Sequence, residues 1–297
     1  MQKEKLNVAF FSVLAAFFLT GFKFIVGFLT GSLGILSEAL HSGLDLVAAV
    51  ITYFSVRVSD KPADRQHNYG HGKIENFSAL IETFLLLITC VWIVYEALGR
   101  LITGSTHIEV NIWSFLVVIS SIIIDFSRSR ALKRVAIKYK SHALEADALH
   151  FSTDIWSSLV VFFGLICANF GYYFADSLAA LGVAFVVLFV SWKLGKKSID
   201  VLLDTAPKET IDLVRNTLAE FPEVKHFHSL KIRTAGADTF VKVNVHLDPD
   251  LNLMKVHEIC DKIENELGRR IERSEVNIHA EPQEIGHIQT EKKDYED

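Results

Sequence analysis

The sequence predicts an α-helical membrane protein with six transmembrane helices, followed by a smaller cytoplasmic α+β domain. Three observations support this fold class. Half of the 297 residues are apolar and the mean hydropathy is +0.30, which indicates long apolar runs. Six such runs precede Pro207. The residues after Pro207 show instead the short periodic segments and the acidic excess of a small soluble domain.

The six predicted spans have a length suited to the hydrocarbon core of a bilayer, which takes about 20 residues of helix. They lie at Asn7–Leu29, Leu33–Val56, Phe77–Leu98, Ile112–Phe126, Phe151–Phe170 and Tyr172–Leu194. The fourth is short unless its helix continues through the polar run from 127 to 132. We expect a transmembrane domain at 1–206, a cytoplasmic metal-binding and dimerisation domain at 207–285, and a charged, disordered tail at 286–297.

Basic residues alternate between the two ends of the predicted spans. Lysine and arginine precede span one, fill the second and fourth loops and follow span six. The first and fifth loops have none, and the third has only Arg100 at its edge. By the positive-inside rule, both termini are expected to face the cytoplasm.

Composition argues against several classes of protein. The formal net charge of −5 gives no basic excess for binding nucleic acid. The three cysteines lie far apart without a C-x-x-C pair, which argues against a disulfide framework or a thiolate metal site. The sequence has no G-x-x-x-x-G-K-S/T run for ATP hydrolysis. We expect a transporter rather than an enzyme.

Two spans contain the same pair of ionisable residues. Span two includes His41-Ser-Gly-Leu-Asp45, and span five begins with His150-Phe-Ser-Thr-Asp154. Ionisable groups are costly inside a bilayer and mark transport pathways, and residues four apart share one face of a helix. Two such helices facing each other offer two nitrogens and two oxygens. This set favours Zn²⁺, allows Co²⁺ or Cd²⁺, and disfavours Ca²⁺ and Mg²⁺.

A polar network is the alternative explanation for either pair alone, with the carboxylate paired to a base such as Lys23. The repeat of the spacing in a second span favours a metal site. Four further carboxyl groups are weaker candidates, for which solvation at a helix end or a salt bridge is the better explanation: Glu38, Asp125, Asp147 and Asp176.

The same residues predict exchange of metal for protons. A histidine must be neutral to bind a metal ion, so binding releases protons. Two carboxylates balance a divalent charge and repel each other once the ion leaves, which favours the return of protons. The pattern is therefore typical of a secondary antiporter that exchanges Zn²⁺ for H⁺.

The loop between spans two and three offers a second candidate metal site. Asp64, His67 and His71 are spaced by three and four residues, and two glycines relax the backbone between and after the histidines. These side chains can surround one ion at the cytoplasmic surface. The alternative is a solvated loop that binds no ligand. The spacing alone slightly favours this alternative over a metal site.

The C-terminal region predicts an α-β-β-α-β order, with a sheet packed against two helices. The predicted elements are Glu209–Phe221, Phe227–Thr234, Phe240–Leu247, Asn252–Gly268, which ends at its glycine, and Glu275–His279. Several side chains near element ends or on exposed faces could form a nitrogen and oxygen site: His228, His246, His257, His279 and Glu281. Ordinary surface histidines explain the spacing about equally well.

Together, these motifs resemble the cation diffusion facilitator family, in particular its bacterial zinc/proton antiporters of the ferrous-iron and zinc efflux type. The resemblance covers the six spans, the two H-x-x-x-D pairs, the P-A-D-x-x-H-x-x-G-H-G-K loop and the α-β-β-α-β domain, which is metallochaperone-like. It implies a transport site, a loop site and a binuclear cytoplasmic site on the residues named above. Members of the family have aspartate where this chain has Glu281, and that aspartate bridges two ions.

The resemblance also implies a homodimer joined largely through its cytoplasmic domains. Lys73 and Asp204 match positions that form a charge interlock between subunits at the membrane surface. The loop between spans four and five lacks a long His-rich insert, which favours a bacterial inner membrane. The alternatives are export of Fe²⁺, Mn²⁺, Co²⁺ or Cd²⁺ by the same scaffold and, less favoured, a membrane-anchored zinc sensor without transport.

Overall fold

The computed structural model describes residues 2–30, 33–103, 112–169 and 173–283. The chain divides into two compact units, Met1–Ile199 and Asp200–Asp297. The predicted tail at 286–297 lies outside the described residues.

Six long helices come first in the chain: α1 (Gln2–Thr30), α2 (Leu33–Ser59), α3 (Lys73–Thr103), α4 (Ile112–Tyr139), α5 (His142–Asn169) and α6 (Tyr173–Leu202). Three of them contain segments long and apolar enough to cross a membrane, at Lys3–Thr30, Ala39–Ser59 and Lys73–Gly99. That result covers only the described residues, and the side chains in part of α5 and of α6 lie outside them. The predicted order of six long helices before the second unit is confirmed.

The helices extend beyond most of the predicted spans, and two boundaries differ most from the sequence prediction. Helix α4 continues to Tyr139, and α5 begins nine residues before the predicted Phe151. The hydroxyl of Ser141 accepts from the backbone N–H of Leu144, and its carbonyl accepts from that of Glu145. Ser141 is therefore the N-cap of α5. The first turns of the helix contain polar residues, so a prediction from hydropathy places them in the loop before the fifth span. His150 therefore lies two turns inside α5 rather than at its start.

Helix α5 contacts α2, α3 and α4 within the first unit. Leu144 and Phe151 are fully buried on its α4 side, where they pack with Leu132 and with Val56 of α2. Ala146 packs with Ala79 and Leu86 of α3. This central position brings polar side chains of α5 opposite those of its neighbours.

The second unit has the predicted element order. Its elements are α7 (Lys208–Ala219), β1 (His226–Ala235), β2 (Asp238–Leu247), α8 (Leu253–Arg270) and β3 (Ser274–Pro282). Strand β2 lies between β1, with which it is antiparallel, and β3, with which it is parallel. Val241, Val243 and Val245 face a core that includes Ile259 and Ile263 of α8. The helices therefore cover one face of the sheet.

The predicted end of α8 at Gly268 is wrong, because the helix continues to Arg270. The backbone N–H of Ile271 still donates to the carbonyl of Leu267 at 2.8 Å, and Arg270 Nε donates to Glu266 Oε1 at 2.8 Å. These contacts hold the last turn past the glycine.

Candidate metal centres

The structure brings together the two His-Asp pairs predicted from the sequence. Nε2 of His150 lies 3.0 Å from Oδ1 of Asp45 on α2 and 3.5 Å from Oδ2 of Asp154, one turn further along α5. Nε2 of His41 lies 3.8 Å from Oδ1 of Asp154. We call these four residues the four-residue centre.

The separations in the four-residue centre fit one small cation. Zn²⁺ binds nitrogen and oxygen at about 2.0–2.2 Å, which places tetrahedral ligand atoms about 3.3 Å from each other. Three of the contacts in the centre, at 3.0–3.8 Å, bracket this value, and ligand atoms of His41, Asp45 and Asp154 all lie within 4.8 Å of one another. The centre is also enclosed: the His150 side chain is 2% exposed and that of His41, the most open member, 30%. It can therefore strip most of the water from an ion.

The structure also shows the surroundings of Lys23 and of two of the four carboxyl groups that were weaker candidates for metal ligands. Nζ of Lys23 donates to the hydroxyl of Ser42 at 2.8 Å, beside the α2 pair. Asp125 forms the expected salt bridge, with Arg128 Nη1 at 3.2 Å. Asp147 is fully buried rather than solvated at a helix end. The side chains of Glu38 and Asp176 lie outside the described residues.

The loop between α2 and α3 brings its three predicted ligands together at its surface. Oδ1 of Asp64 lies 3.3 Å from Nδ1 of His67, and Oδ2 lies 3.5 Å from Nε2 of His71. The two imidazole rings are 4.4 Å apart between centroids. Gly70, with φ at +73°, supplies the left-handed residue that turns the chain between them. We call this group the loop site.

Asp64 also organises the backbone of the loop site. Its Oδ1 accepts from the backbone N–H of His67 at 2.7 Å and from that of Gln66 at 2.9 Å. These two bonds hold the pKa of Asp64 below its usual range. The carboxylate is therefore ionised and available to a cation at neutral pH.

A third group lies on the open face of the three-stranded sheet. Nε2 of His228 lies 3.2 Å from Oε2 of Glu281, Nε2 of His246 lies 3.6 Å from the same oxygen, and Nε2 of His279 lies 3.5 Å from Oε1. Strand register explains the grouping, since His246 pairs with Glu281 and Asn244 pairs with His279. We call His228, His246, His279 and Glu281 the sheet site.

Glu281 is the central residue of the sheet site. Burial acts to raise its pKa, but hydrogen bonds from His228 and Asn244 outweigh this effect and hold the pKa below its usual range. Asn244 Nδ2 donates to Glu281 Oε1 at 2.7 Å. Sequence reasoning missed Asn244, although it alternates with His246 and so shares its face of β2.

His257 does not join the sheet site in this chain. It projects from α8, where its Nε2 lies 3.6 Å from Oδ2 of Asp261 and its side chain is mostly exposed. Helix α8 packs on the opposite face of the sheet, which explains the separation of His257 from the sheet site.

Lys73 is the first residue of α3, and Asp204 follows α6 with φ at +60°. Their interlock between subunits stays a prediction.

Sequence reasoning also missed a buried ion cluster where α1, α2, α3 and α5 approach each other. Lys5 Nζ donates to Asp60 Oδ1 and Glu75 Oε1, each at 2.8 Å. Glu75 also accepts from the hydroxyls of Ser59 at 2.9 Å and Ser141 at 2.6 Å. Nothing in the sequence singled out Glu75, because it precedes the predicted third span.

Comparison with known proteins matches both units of the chain. Residues 9–203 match the family described as "Cation efflux transmembrane domain", and residues 206–283 match "Cation efflux protein, cytoplasmic domain". The chain belongs to the cation diffusion facilitator family. This membership identifies it as a membrane transporter of the cation efflux type, with a metal ion as its substrate.

Relatives of similar length support the assignment. An uncharacterized transporter of Synechocystis sp. is 31% identical over 280 residues, covering 93% of this chain and 90% of that protein. The cation-efflux pump FieF of Yersinia enterocolitica is 30% identical, covering 85% of this chain and 84% of that protein. Among solved structures, the metal-bound C-terminal domain of the CzcD transporter from Thermotoga maritima is 29% identical, with a TM-score of 0.25. It corresponds to 27% of this chain and 93% of that one.

Proposed function

We propose that the chain is a homodimeric Zn²⁺/H⁺ antiporter that exports zinc from the cytoplasm of a bacterium. The observation that supports this function is the four-residue centre, where three contacts of 3.0–3.8 Å link two imidazole rings to two carboxylates. Two carboxylates balance the charge of a divalent ion. Two imidazoles favour zinc over ions that prefer only oxygen ligands.

Proton coupling follows from the contacts inside the four-residue centre. His150 lies against Asp45 and Asp154, so a proton on its ring forms an ion pair with both carboxylates. A metal ion can bind His150 only when the ring nitrogen is free. Metal and proton therefore compete for one set of atoms, which is the requirement for exchange.

The remaining parts of the molecule have supporting roles in this proposal. The chain lies in the inner membrane with both termini in the cytoplasm. The loop site receives ions there, and the sheet site binds ions that favour the approach of two cytoplasmic domains. Lys73 and Asp204 form the charge interlock between subunits. The match of residues 206–283 to the cytoplasmic domain of cation efflux proteins supports this arrangement.

Flux in proteoliposomes tests the function. The reconstituted protein should transport Zn²⁺ across the membrane while protons move in the opposite direction. Asp154→Ala should abolish this transport. Zinc binding at the sheet site should persist in the variant. A protein that moves Mn²⁺ and not Zn²⁺ would contradict the metal assignment. Wild type without flux of any metal would indicate a sensor.

A further inference from the structure

A row of buried polar side chains continues from the four-residue centre along three helices. Thr52 lies seven residues after Asp45 on α2, and Asp147 lies three residues before His150 on α5. These spacings keep each pair on one face of its helix. Glu82 of α3 completes the row, and Thr52, Asp147 and Glu82 are all fully buried. The row extends toward the ends of α2 and α3 that the loop site connects.

Glu82 and Asp147 are only partly hydrogen-bonded. The hydroxyl of Thr52 donates to Oε1 of Glu82, and that of Ser12 donates to Oδ2 of Asp147 at 3.3 Å. The second oxygen of each carboxyl group, Oε2 of Glu82 and Oδ1 of Asp147, has no hydrogen-bond partner among the described residues. A buried carboxylate in this condition is strongly destabilised unless it takes up a proton or faces a cation.

Among the described residues, the cationic groups that act on the pair are shared with other carboxyl groups. Glu82 interacts electrostatically with Asp147 and His150, and Asp147 also interacts with Arg128 and Asp45. Arg128 is shared, because its guanidinium donates to Asp125 and to Ser12 and stacks 3.4 Å from the ring centroid of Phe151. The part of α6 that packs against α3 here contributes apolar side chains, including Ala184, Val187 and Leu194.

We propose that Glu82 and Asp147 form a proton-holding pair, and that Glu82 carries a proton that the transporter exchanges for its cation. This inference rests on the proposed antiport and adds a proton site outside the four-residue centre. The two carboxyl groups share their surroundings but belong to different helices. Mutual repulsion disfavours ionisation of both at once.

The proton balance is simple. When a divalent ion enters the four-residue centre, its positive charge favours the ionised form of Glu82. The O–H bond of the Glu82 carboxyl breaks, and the proton leaves toward the cytoplasm. When the ion departs to the other side, one proton returns to the same oxygen. No oxidant or other reactant is needed.

Counting protons tests the proposal. Zn²⁺ is added to the full-length protein in weakly buffered solution, and the protons released per bound ion are measured with a pH indicator. Glu82→Gln should release about one proton fewer per transport-site ion than wild type. Protons from the loop and sheet sites cancel in this difference. Glu145→Gln is the matched control, since Glu145 is an exposed carboxylate on α5 that pairs with Lys197, and its release should equal that of wild type.

Three further results connect the pair to transport. Glu82→Gln vesicles should still move Zn²⁺ down its own gradient but lose the acceleration given by a proton gradient. Thr52→Val removes one hydrogen bond to Glu82 without changing side-chain volume much, and should move proton release to higher pH. In wild type, infrared absorption of protonated carboxyl groups should fall when Zn²⁺ is added, a result that does not require a variant to fold.

Several outcomes would contradict the proposal that Glu82 and Asp147 form a proton-holding pair. Unchanged proton release in Glu82→Gln would do so, and so would a constant carboxyl absorption in wild type. Loss of the transport-site ion in Glu82→Gln would make Glu82 a ligand instead. Wild-type vesicles that move Zn²⁺ without protons would contradict the antiport itself, whereas proton-coupled wild type with normal coupling in Glu82→Gln would contradict the pair alone.

Discussion

The buried ion cluster around Glu75 gives a sharp test of how the membrane unit is held together. Glu75 accepts from Lys5, Ser59 and Ser141, which belong to or flank three other helices. The side chains of Lys5 and Glu75 are only 5% and 3% exposed. Glu75→Gln keeps the shape of the side chain and removes its charge. Lys5 is then left with Asp60 as its only carboxylate partner among the described residues.

The size of the effect follows from burial. Removing one member of a buried ion pair costs about 3–5 kcal/mol, because the other charge stays buried without compensation. Asp60 still faces Lys5, so we expect the low end, about 3 kcal/mol, in Glu75→Gln. For a unit of this length, that loss lowers Tm by about 6–12 °C. Glu145→Gln breaks a pair that is nearly half exposed on both sides and should cost at most about 1 kcal/mol.

Thermal unfolding of the purified protein in detergent measures both variants. The double variant Lys5→Met/Glu75→Met should be more stable than the sum of its two single changes predicts, because neither Lys5 nor Glu75 is then left as an unpaired charge. Asp60 loses Lys5 in the single Lys5→Met variant as well, so that cost does not enter the difference. Equal Tm values for Glu75→Gln and Glu145→Gln would refute the reasoning, as would additive effects in the double variant.

Three other predictions concern separate parts of the chain. Gly27→Ala should destabilise the protein by about 1–3 kcal/mol, because a Cβ at this position would lie 3.0 Å from the side chain of Leu36 and 3.1 Å from its backbone nitrogen. Gly21→Ala is the control: a Cβ there meets nothing within 4 Å, and the variant should not lower Tm. Glu281→Ala should remove zinc binding at the sheet site, measured by calorimetry, without stopping flux; unchanged binding would exclude Glu281 as a ligand. Arg270 holds the pKa of Glu220 below its usual range through two hydrogen bonds. Glu220→Gln should therefore lower Tm at pH 7, and the difference in Tm from wild type should disappear as pH falls through the lowered pKa. A difference in Tm that persists at acid pH would contradict this prediction.

Periodicity and spacing predicted most of the fold. The helical membrane region and the α-β-β-α-β order depend on runs of apolar residues that sequence shows directly. The start of α5 was wrong because hydropathy detects the apolar part of a helix and misses a polar first turn capped by Ser141. The end of α8 was wrong because tertiary contacts of Arg270 outweigh the local preference of Gly268.

The candidate sites were predictable where ligands share one helix or one loop. The paired H-x-x-x-D motifs indicated the four-residue centre because four-residue spacing fixes the face of a helix. Glu82, Asp147 and Glu75 were not found as a group, since their neighbours come from other helices and depend on tertiary packing. Asn244 could have been found from strand alternation. His257 was grouped with the sheet site from its place near an element end and from the family resemblance, whereas its helix covers the other face of the sheet.

Anomalous scattering at the zinc absorption edge, on the purified protein loaded with Zn²⁺, tests the central claim most directly. The account predicts an ion about 2.0–2.2 Å from His41, Asp45, His150 and Asp154, in addition to any ions at the loop and sheet sites. Zinc at the loop and sheet sites alone, with the four-residue centre empty at saturating metal, would contradict it.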